Sequence, residues 1–231
     1  MGAGAKLIPK LLLQIVLMLV VFAGVMFGAA GTLDWPTGWA YLALFAVVTL
    51  VISLWLASID PGLLAERMKA PVQKGQKPWD RVFLLVLAVV YFGWLALMAW
   101  DARRMAWSHV AVWVQVAGGV LIVASYLGIA WVYRTNSFAA PVIKIQTERH
   151  QTVVSTGPYA FVRHPMYAFA LLQFVGGPLM LGSWWGLAGA LPITLAVAVR
   201  TVGEEKMLRT ELQGYEDYAR RVRWRYAPGI W

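Results

Sequence analysis

The side chains best suited to binding or catalysis lie in residues 157–169, whose sequence is GPYAFVRHPMYAF. An arginine, a histidine and two tyrosines stand here where an apolar run begins. Pro165 is typical of the first turn of a helix, where its missing amide proton costs no hydrogen bond. Arg163 and His164 suit a membrane interface. Helix initiation explains the proline and the charge, but it gives no reason for Tyr159 and Tyr167.

A second polar cluster, Arg200, Glu204 and Glu205, follows the next apolar run. Ionisable side chains at the end of a membrane helix are costly unless they are solvated or paired, and they are candidates for function. Two adjacent apolar runs form a hairpin whose free ends meet. We therefore expect His164 and Tyr167 to lie near Arg200 and Glu204 in one polar pocket.

The composition indicates an integral membrane protein, because 60% of the 231 residues are hydrophobic and only 13% are charged. We predict an all-α membrane bundle of about six transmembrane helices. Its last two helices form a tight hairpin around Gly182-Ser183, and a C-terminal helix lies in the cytoplasm. The apolar runs that predict these helices are 8–30, 39–57, 82–100, 110–133, 166–181 and 184–199.

Lysines and arginines concentrate at the N-terminus, in the second and fourth loops and in the tail. These segments share one side if six helices cross the bilayer, which predicts cytoplasmic N- and C-termini. Arg103 and Arg104, in the third loop, are an exception. The first run, preceded by Lys6 and Lys10, could alternatively be a signal sequence. Its apolar core exceeds the usual length of about 7–15 residues, which favours a retained helix.

The net charge of +9 points to anionic lipid headgroups as partners. The basic residues are dispersed over helix ends, so no nucleic-acid partner is predicted. The absence of cysteine excludes disulfides and thiolate nucleophiles, and the spacing of the three histidines predicts no metal site. Polar residues concentrate after Tyr133, which divides the chain into a four-helix membrane region, 1–133, and a catalytic half, 134–231. The sequence leaves the oligomeric state open.

Short motifs follow one another through the C-terminal half: Asn136-Ser-Phe138, QTERHQTVV at 146–154, Gly157-Pro-Tyr159, RHPMY at 163–167, Arg200 with Glu204-Glu205, and GYEDY at 214–218. This ordered set resembles the isoprenylcysteine carboxyl methyltransferase and phospholipid methyltransferase family. The set is specific, whereas the RHPMY motif alone is only moderately so. The first four helices resemble the family only in being hydrophobic.

The resemblance implies an integral-membrane methyltransferase that uses S-adenosylmethionine, held between the fourth loop, the hairpin and the tail. Arg200 would face the reacting substrate, and Glu204 and Glu205 complete the expected catalytic set. The family often has a histidine where this chain has Gln151, with His150 just before it. The implied cofactor contacts are Gln146, His150, Gln151, Thr152, Val153, Val154, Tyr159, His164, Pro165, Met166, Tyr167 and Glu204.

The methyl acceptor is expected to enter from the bilayer, and a prenylated cysteine, an aminophospholipid, and a small hydrophobic thiol, phenol or acid all stay open. A carboxylate acceptor could be oriented by Arg200. An amine or thiol needs a base, for which Glu204, Glu205 and His164 are candidates.

Two other classes of function stay open. Membrane sterol reductases that use NADPH resemble the same region, including its ending VRWRYAPGIW. The adjacent glutamates disfavour that reading, because a cofactor with extra phosphates prefers basic residues. A non-enzymatic scaffold or transporter is the third class. A transporter needs polar side chains near the middle of the membrane, and the first four helices have few there apart from Gln14 and scattered hydroxyls.

Overall fold

The computed structural model describes residues 4–231, and the regular structure in that range is entirely helical. A π-helical turn, Trp100–Met105, continues α4. The α-helices are α1 (Ile8–Ala30), α2 (Pro36–Ile59), α3 (Pro61–Arg67), α4 (Pro78–Ala99), α5 (Val112–Thr135), α6 (Pro165–Leu181), α7 (Trp184–Glu211) and α8 (Tyr215–Arg221).

Five of the described helices, α1, α2, α4, α5 and α7, are long and apolar enough to cross a membrane. The shorter α6 has 17 residues. These helices confirm the predicted polytopic all-α bundle, and α8 supplies the predicted C-terminal helix. One boundary differs from the sequence prediction: α7 continues past the apolar run, which stops at residue 199, and ends at Glu211. Arg200, Glu204 and Glu205 therefore lie within a helix instead of after one.

The bundle buries its largest apolar side chains among α1, α2, α4 and α7. Met26, Phe45 and Met98 are buried there, and the rings of Phe22 and Phe45 stack with their centroids 4.9 Å apart. The outward faces remain strongly apolar, and Val89, for example, is 68% exposed. An apolar outer surface on spanning helices is what contact with lipid requires.

Glycines allow the backbones of α5 and α6 to approach closely. A Cβ atom added to Gly118 would lie 2.7 Å from the carbonyl oxygen of Gly176, and one added to Gly176 would lie 2.7 Å from the carbonyl oxygen of Gly118. Gly128 on α5 is covered in the same way by the ring of Phe169. Small residues at such crossings are typical of membrane helix pairs. This contact holds α6, the helix that carries RHPMY, firmly against α5.

The turn between α6 and α7 has the tight form that the sequence predicts. Gly182 adopts φ 84°, in the left-handed region that favours glycine. The amides of Gly182 and Ser183 both donate to the carbonyl of Pro178, each at 2.9 Å. The Ser183 hydroxyl then caps α7 by accepting from the amide of Gly186 at 2.8 Å.

Asp101, on the π-helical turn, fastens this hairpin to α4. The side chain is fully buried, and its Oδ2 accepts from the Ser183 hydroxyl at 2.5 Å and from the Ser108 hydroxyl at 2.7 Å. The Ser108 oxygen accepts in turn from the amide of Trp184 at 2.9 Å. One carboxylate therefore orients both hydroxyl groups that accept hydrogen bonds from the backbone amides at the start of α7.

Replacing Ser183 with alanine should lower the free energy of unfolding by about 2 kcal/mol, because it removes a helix cap and a hydrogen bond to a carboxylate. Unfolding by SDS in mixed micelles, followed by tryptophan fluorescence, measures this change. Ser58→Ala is the control, since Ser58 is exposed and donates only to the carbonyl of Trp55. It should change stability by less than about 0.5 kcal/mol. Equal effects of the two substitutions would contradict the assigned cap.

Candidate active site

A pocket lies at the end of the bundle where α6 begins and the polar part of α7 emerges. The loop that follows α5 closes one side, and α8 closes another. The side chains that line the pocket are Asn136, Phe138, Ala139, Ala140, Val142, Ile143, Lys144, Gln151, Thr152, Val153, Val154, Tyr159, Arg163, His164, Met166, Tyr167, Glu204, Met207, Leu208, Leu212, Tyr215 and Tyr218.

The first turn of α6 contributes one wall. Pro165 occupies the first helical position, so His164 precedes the helix and Tyr167 follows within its first turn. The two rings are stacked, with centroids 5.8 Å apart and planes within 12° of parallel. The helix start therefore fixes a histidine and a tyrosine side by side at the pocket surface.

Hydrogen bonds join this wall to α7, as the hairpin argument predicts. The Tyr167 hydroxyl donates to Glu204 Oε2 at 2.8 Å and accepts from Arg200 Nη1 at 2.6 Å. Arg200 Nη2 donates to the carbonyl of Pro141 at 2.9 Å. Because Arg200 and Glu204 are four residues apart on a helix, they lie on one face and hold the tyrosine between them.

Asp80, in the first turn of α4, holds the other side of the guanidinium. It is fully buried, and its Oδ1 accepts from Arg200 Nε at 2.9 Å. Its Oδ2 accepts from Gln76 Nε2 and from the backbone amide of Ile143, both at 2.9 Å. One carboxylate therefore connects α4, α7 and the loop that lines the pocket.

The sequence analysis missed Asp80. An acidic residue in the first turn of a helix is ordinary, because it complements the helix dipole. Its partner also lies 120 positions away along the chain. The sequence did carry one signal: Asp80 is a single acid just before an apolar run, and Arg200 is a single arginine just after another.

Glu204 and Glu205 point in different directions because successive helix residues are rotated by about 100°. Glu204 faces the pocket, whereas Glu205 is 3% exposed and lies in a cluster of cations. Arg163 Nε donates to Glu205 Oε1 at 2.6 Å, and His164 Nε2 lies 3.1 Å from the same oxygen. Arg225 donates to Oε2 at 3.1 Å. Three basic groups thus surround one carboxylate.

The C-terminal tail is bound to this cluster through Arg163 and His164. Arg163 Nη1 donates to the carbonyls of Val222 and Arg223, each at 2.7 Å. The backbone amides of Arg163 and His164 donate to the carbonyls of Trp224 and Arg225, both at 2.9 Å. The tail is therefore packed against the start of α6 and helps to enclose the site.

Tyrosines form a second wall of the pocket. The Tyr159 hydroxyl accepts from Asn136 Nδ2 at 2.8 Å, and the Tyr218 hydroxyl donates to the carbonyl of Tyr159 at 2.8 Å. Burial raises the pKa of both Tyr159 and Tyr218 well above the ordinary value. Both therefore stay neutral, and the Tyr159 hydroxyl keeps a proton to donate.

The strip 151–154 lines the pocket and has no regular secondary structure. Gln151 Oε1 accepts from the amide of Gln146 at 2.8 Å, which fixes where the strip begins. Within residues 4–231, the backbone amides of Thr152, Val153 and Val154 donate to no other protein group. Free amides along a pocket wall are suited to bind an acceptor on a ligand.

Lys144, also at the pocket surface, is paired with a buried acid from α3. Its Nζ donates to Glu66 Oε2 at 3.1 Å, and Glu66 also accepts from Lys69. Burial alone would raise the pKa of Glu66, but these two lysines hold the pKa of its carboxyl below the ordinary value. The charged pair links α3 to the pocket loop.

Most of the predicted cofactor residues meet in this pocket: Gln151, Thr152, Val153, Val154, Tyr159, His164, Met166, Tyr167 and Glu204 all line it. Gln146, His150 and Pro165 do not. Gln146 is buried and donates to the carbonyl of Phe138 at 2.8 Å, so it braces the loop. His150 is exposed with φ 51°, and Pro165 starts α6.

The three predicted catalytic residues are placed differently. Glu204 lines the pocket, whereas Arg200 and Glu205 stand behind its wall and hold lining residues in place. Their roles in the reaction stay predictions. Sequence reasoning had not assigned Lys144, Tyr215 or Tyr218 to the site, although the GYEDY motif contains both tyrosines.

Residues 113–213 match the family model for phospholipid methyltransferases. This region belongs to that family. The match confirms the suspected family for this region and supports a membrane methyltransferase, and the five long apolar helices support a multi-pass membrane protein. No curated protein sequence matches the chain significantly. The matched region contains α5, α6 and α7, and therefore Tyr167, Arg200 and Glu204.

The buried pair of Asp80 and Arg200 should show strong energetic coupling. We expect Asp80→Asn and Arg200→Gln each to lower the free energy of unfolding by about 3 kcal/mol, because each leaves a buried charge unpaired. The double variant should be more stable than the sum of the two losses predicts, by about 1–3 kcal/mol. SDS unfolding of all four proteins completes the double-mutant cycle.

A matched control joins the same two helices at the surface. Lys77 Nζ and Glu211 Oε1 lie 2.6 Å apart, and both side chains are partly exposed. Solvent screening should keep the coupling of Lys77→Gln with Glu211→Gln below about 1 kcal/mol. If the buried pair coupled no more strongly than this exposed pair, Asp80 would have no special part in holding Arg200.

Proposed function

We propose that the protein transfers a methyl group from S-adenosylmethionine to an acceptor with an apolar tail, which enters from the bilayer. The observation that carries this proposal is the meeting of Glu204, an aromatic wall and a strip of free backbone amides in one pocket. The family match supports methyl transfer, and the pocket chemistry supports this methyl donor.

The donor set of the pocket fits the functional groups of S-adenosylmethionine. That cofactor carries an ammonium and ribose hydroxyls, which need an acceptor, and Glu204 Oε1 has no hydrogen-bond partner among residues 4–231. Its carboxylate needs donors, which Lys144 and the amides of the 152–154 strip could supply. Its adenine needs flat surfaces, and Tyr159 and Tyr215 line the pocket.

Tyr167 and Arg200 prepare Glu204 for this task. The tyrosine hydroxyl occupies Oε2 of the carboxylate and leaves Oε1 free to accept from a ligand. Arg200 donates to the same hydroxyl, so the tyrosine proton is directed at Glu204 and not elsewhere. The carboxylate is therefore held in one orientation before any ligand binds, which reduces the cost of ordering it on binding.

When bound, S-adenosylmethionine supplies an activated methyl group on a sulfonium. The protein then has to align the acceptor with that methyl group and exclude water. The apolar side chains of Met166, Met207 and Leu208 at the pocket surface suit exclusion of water. An acceptor carboxylate needs no base, and Arg200, which donates to Tyr167 from behind the pocket wall, would hold in place the side chains that orient such an acceptor.

An amine or thiol acceptor would have to lose a proton. Of the three predicted bases, Glu205 already accepts from Arg163 and Arg225 and lies against His164, so its oxygens are occupied. Glu204 and His164 both line the pocket, and the His164 Nδ1 atom makes no hydrogen bond with residues 4–231. We therefore assign the base, where the acceptor requires one, to Glu204 or His164.

We further propose that this end of the bundle faces the cytoplasm. The argument is the positive-inside distribution, since the α3–α4 loop, the α5–α6 loop and the chain after α7 carry half of the 20 lysines and arginines. The pocket would then open at the membrane surface on the side where S-adenosylmethionine is made. Both termini would share that side.

Purified protein in detergent should be stabilised against heat by S-adenosylmethionine or its demethylated product, because a ligand that binds only the folded state raises its stability. Incubation with isotope-labelled methyl donor and a total lipid extract should then yield a labelled product that identifies the acceptor. Stabilisation by NADPH, without any by S-adenosylmethionine, would overturn the proposed function in favour of reduction.

Replacing Glu204 with glutamine should weaken binding of the demethylated cofactor about 10- to 100-fold. A hydrogen bond to a charged group contributes about 1.5–3 kcal/mol, and each 1.4 kcal/mol is a factor of ten. Isothermal titration measures the affinity. Glu211→Gln, at the exposed end of the same helix, is the control and should bind normally. Unchanged affinity in Glu204→Gln would remove this residue from the site.

A further inference from the structure

A second cavity, of about 400 Å³, lies among α1, α2, α3, α5 and α6. It shares no lining residue with the candidate active site. Most of its wall surface is apolar, with Leu11 and Ile15 from α1, Ile52 and Leu56 from α2, and Ile129 from α5. We call it the lipid cavity below, for the reasons that follow.

Arg67, the last residue of α3, stands at one end of the lipid cavity. Its Nη1 donates to the carbonyl of Ala139 at 2.8 Å, and its guanidinium lies 4.6 Å from the ring centroid of Tyr133. Among residues 4–231, no carboxylate oxygen lies within 4.0 Å of this guanidinium. A half-buried arginine without an acidic partner at the mouth of an aliphatic cavity fits an anionic ligand with an apolar chain.

The dimensions of the lipid cavity match one leaflet of a bilayer. Its lining on α2 runs from Phe45 to Leu56, which is about 16 Å at a rise of about 1.5 Å per residue. That length is about half of a hydrocarbon core about 30 Å thick. The cavity thus extends from the level of Arg67 to near the middle of the membrane.

Polar side chains mark both ends of the lipid cavity. At the Arg67 end, the Gln14 side chain is exposed, and its Nε2 donates to the carbonyl of Met68 at 3.1 Å. At the deep end, the hydroxyls of Thr49 and Tyr126 lie 3.5 Å apart and can satisfy each other. An apolar chain between the two ends would meet mainly apolar surface.

We propose that the lipid cavity binds one acyl chain of an anionic phospholipid, with the lipid phosphate at Arg67. The forked donors of arginine are suited to phosphate oxygens. Membrane leaflets that contain anionic lipids attract basic residues near the surface. This binding site is separate from the methyl-transfer pocket, and the proposal does not depend on the proposed function.

Arg67 also connects the lipid cavity to the wall of the candidate active site. The carbonyl that accepts from Arg67 belongs to Ala139, which lines the candidate active site. A phosphate bound to the remaining guanidinium donors would fix the side chain that supports this wall. The lipid therefore steadies the pocket loop from the side opposite to any methyl donor.

The test uses delipidated protein in detergent, with phosphatidylglycerol and phosphatidylcholine of identical chains as probes. Phosphatidylglycerol should raise the thermal unfolding temperature at concentrations at least tenfold below those that phosphatidylcholine needs. Arg67→Gln should abolish that tenfold preference. Lys74→Gln, which removes an exposed charge from the α3–α4 loop, should retain it. Equal responses to the two lipids, or equal behaviour of the two variants, would overturn the proposal.

Two further arms separate a lipid from a free anion. Inorganic phosphate alone should give no stabilisation at the same concentrations, and stabilisation by phosphate alone would contradict an acyl-chain site. Ile129→Trp, which fills the lipid cavity, should abolish the response to phosphatidylglycerol while circular dichroism shows that the variant keeps its helical content. A retained lipid response in that folded variant would show that the chain binds elsewhere.

Discussion

The buried ion pair between Arg200 and Asp80 is the interaction on which the active-site geometry depends. A guanidinium at 7% exposure is stable only if its charge and its donors find partners. Those partners come from separate segments: Asp80 on α4, Tyr167 on α6 and the carbonyl of Pro141 in the loop. Because each partner is immobilised by the same arginine, the pocket wall forms as a unit with the folded bundle.

The two adjacent glutamates show how one helix can provide both rigidity and reactivity. Glu205 is saturated by Arg163, Arg225 and the nearby His164 ring, so it holds the tail against α6. Glu204, one residue earlier, receives only the Tyr167 hydroxyl and keeps an oxygen directed to the pocket. Glu205 pairs with the surrounding basic groups, and Glu204, which is partly exposed at the pocket, remains available to a ligand with a positive charge.

Hydropathy predicted the spanning helices and the hairpin well, because lipid contact imposes an apolar pattern on each helix. It failed at the end of α7, since residues 200–211 are polar but rich in strong helix formers such as Glu204, Lys206 and Met207. Motifs brought His164, Tyr167 and Glu204 together correctly. They could not separate lining residues from supports, because burial decides that difference and a motif does not record it.

Several charged residues in the matched family region have their partners outside that region. Asp80 lies before residue 113 and Arg225 lies after residue 213, yet each neutralises a charged residue within that region. The same is true of Glu66, whose carboxylate holds Lys144 at the pocket. Charges buried in residues 134–231 are therefore compensated by α3 and α4 and by the tail. A substitution of Asp80, Arg225 or Glu66 would leave a buried charge without its partner, although none of the three lines the pocket.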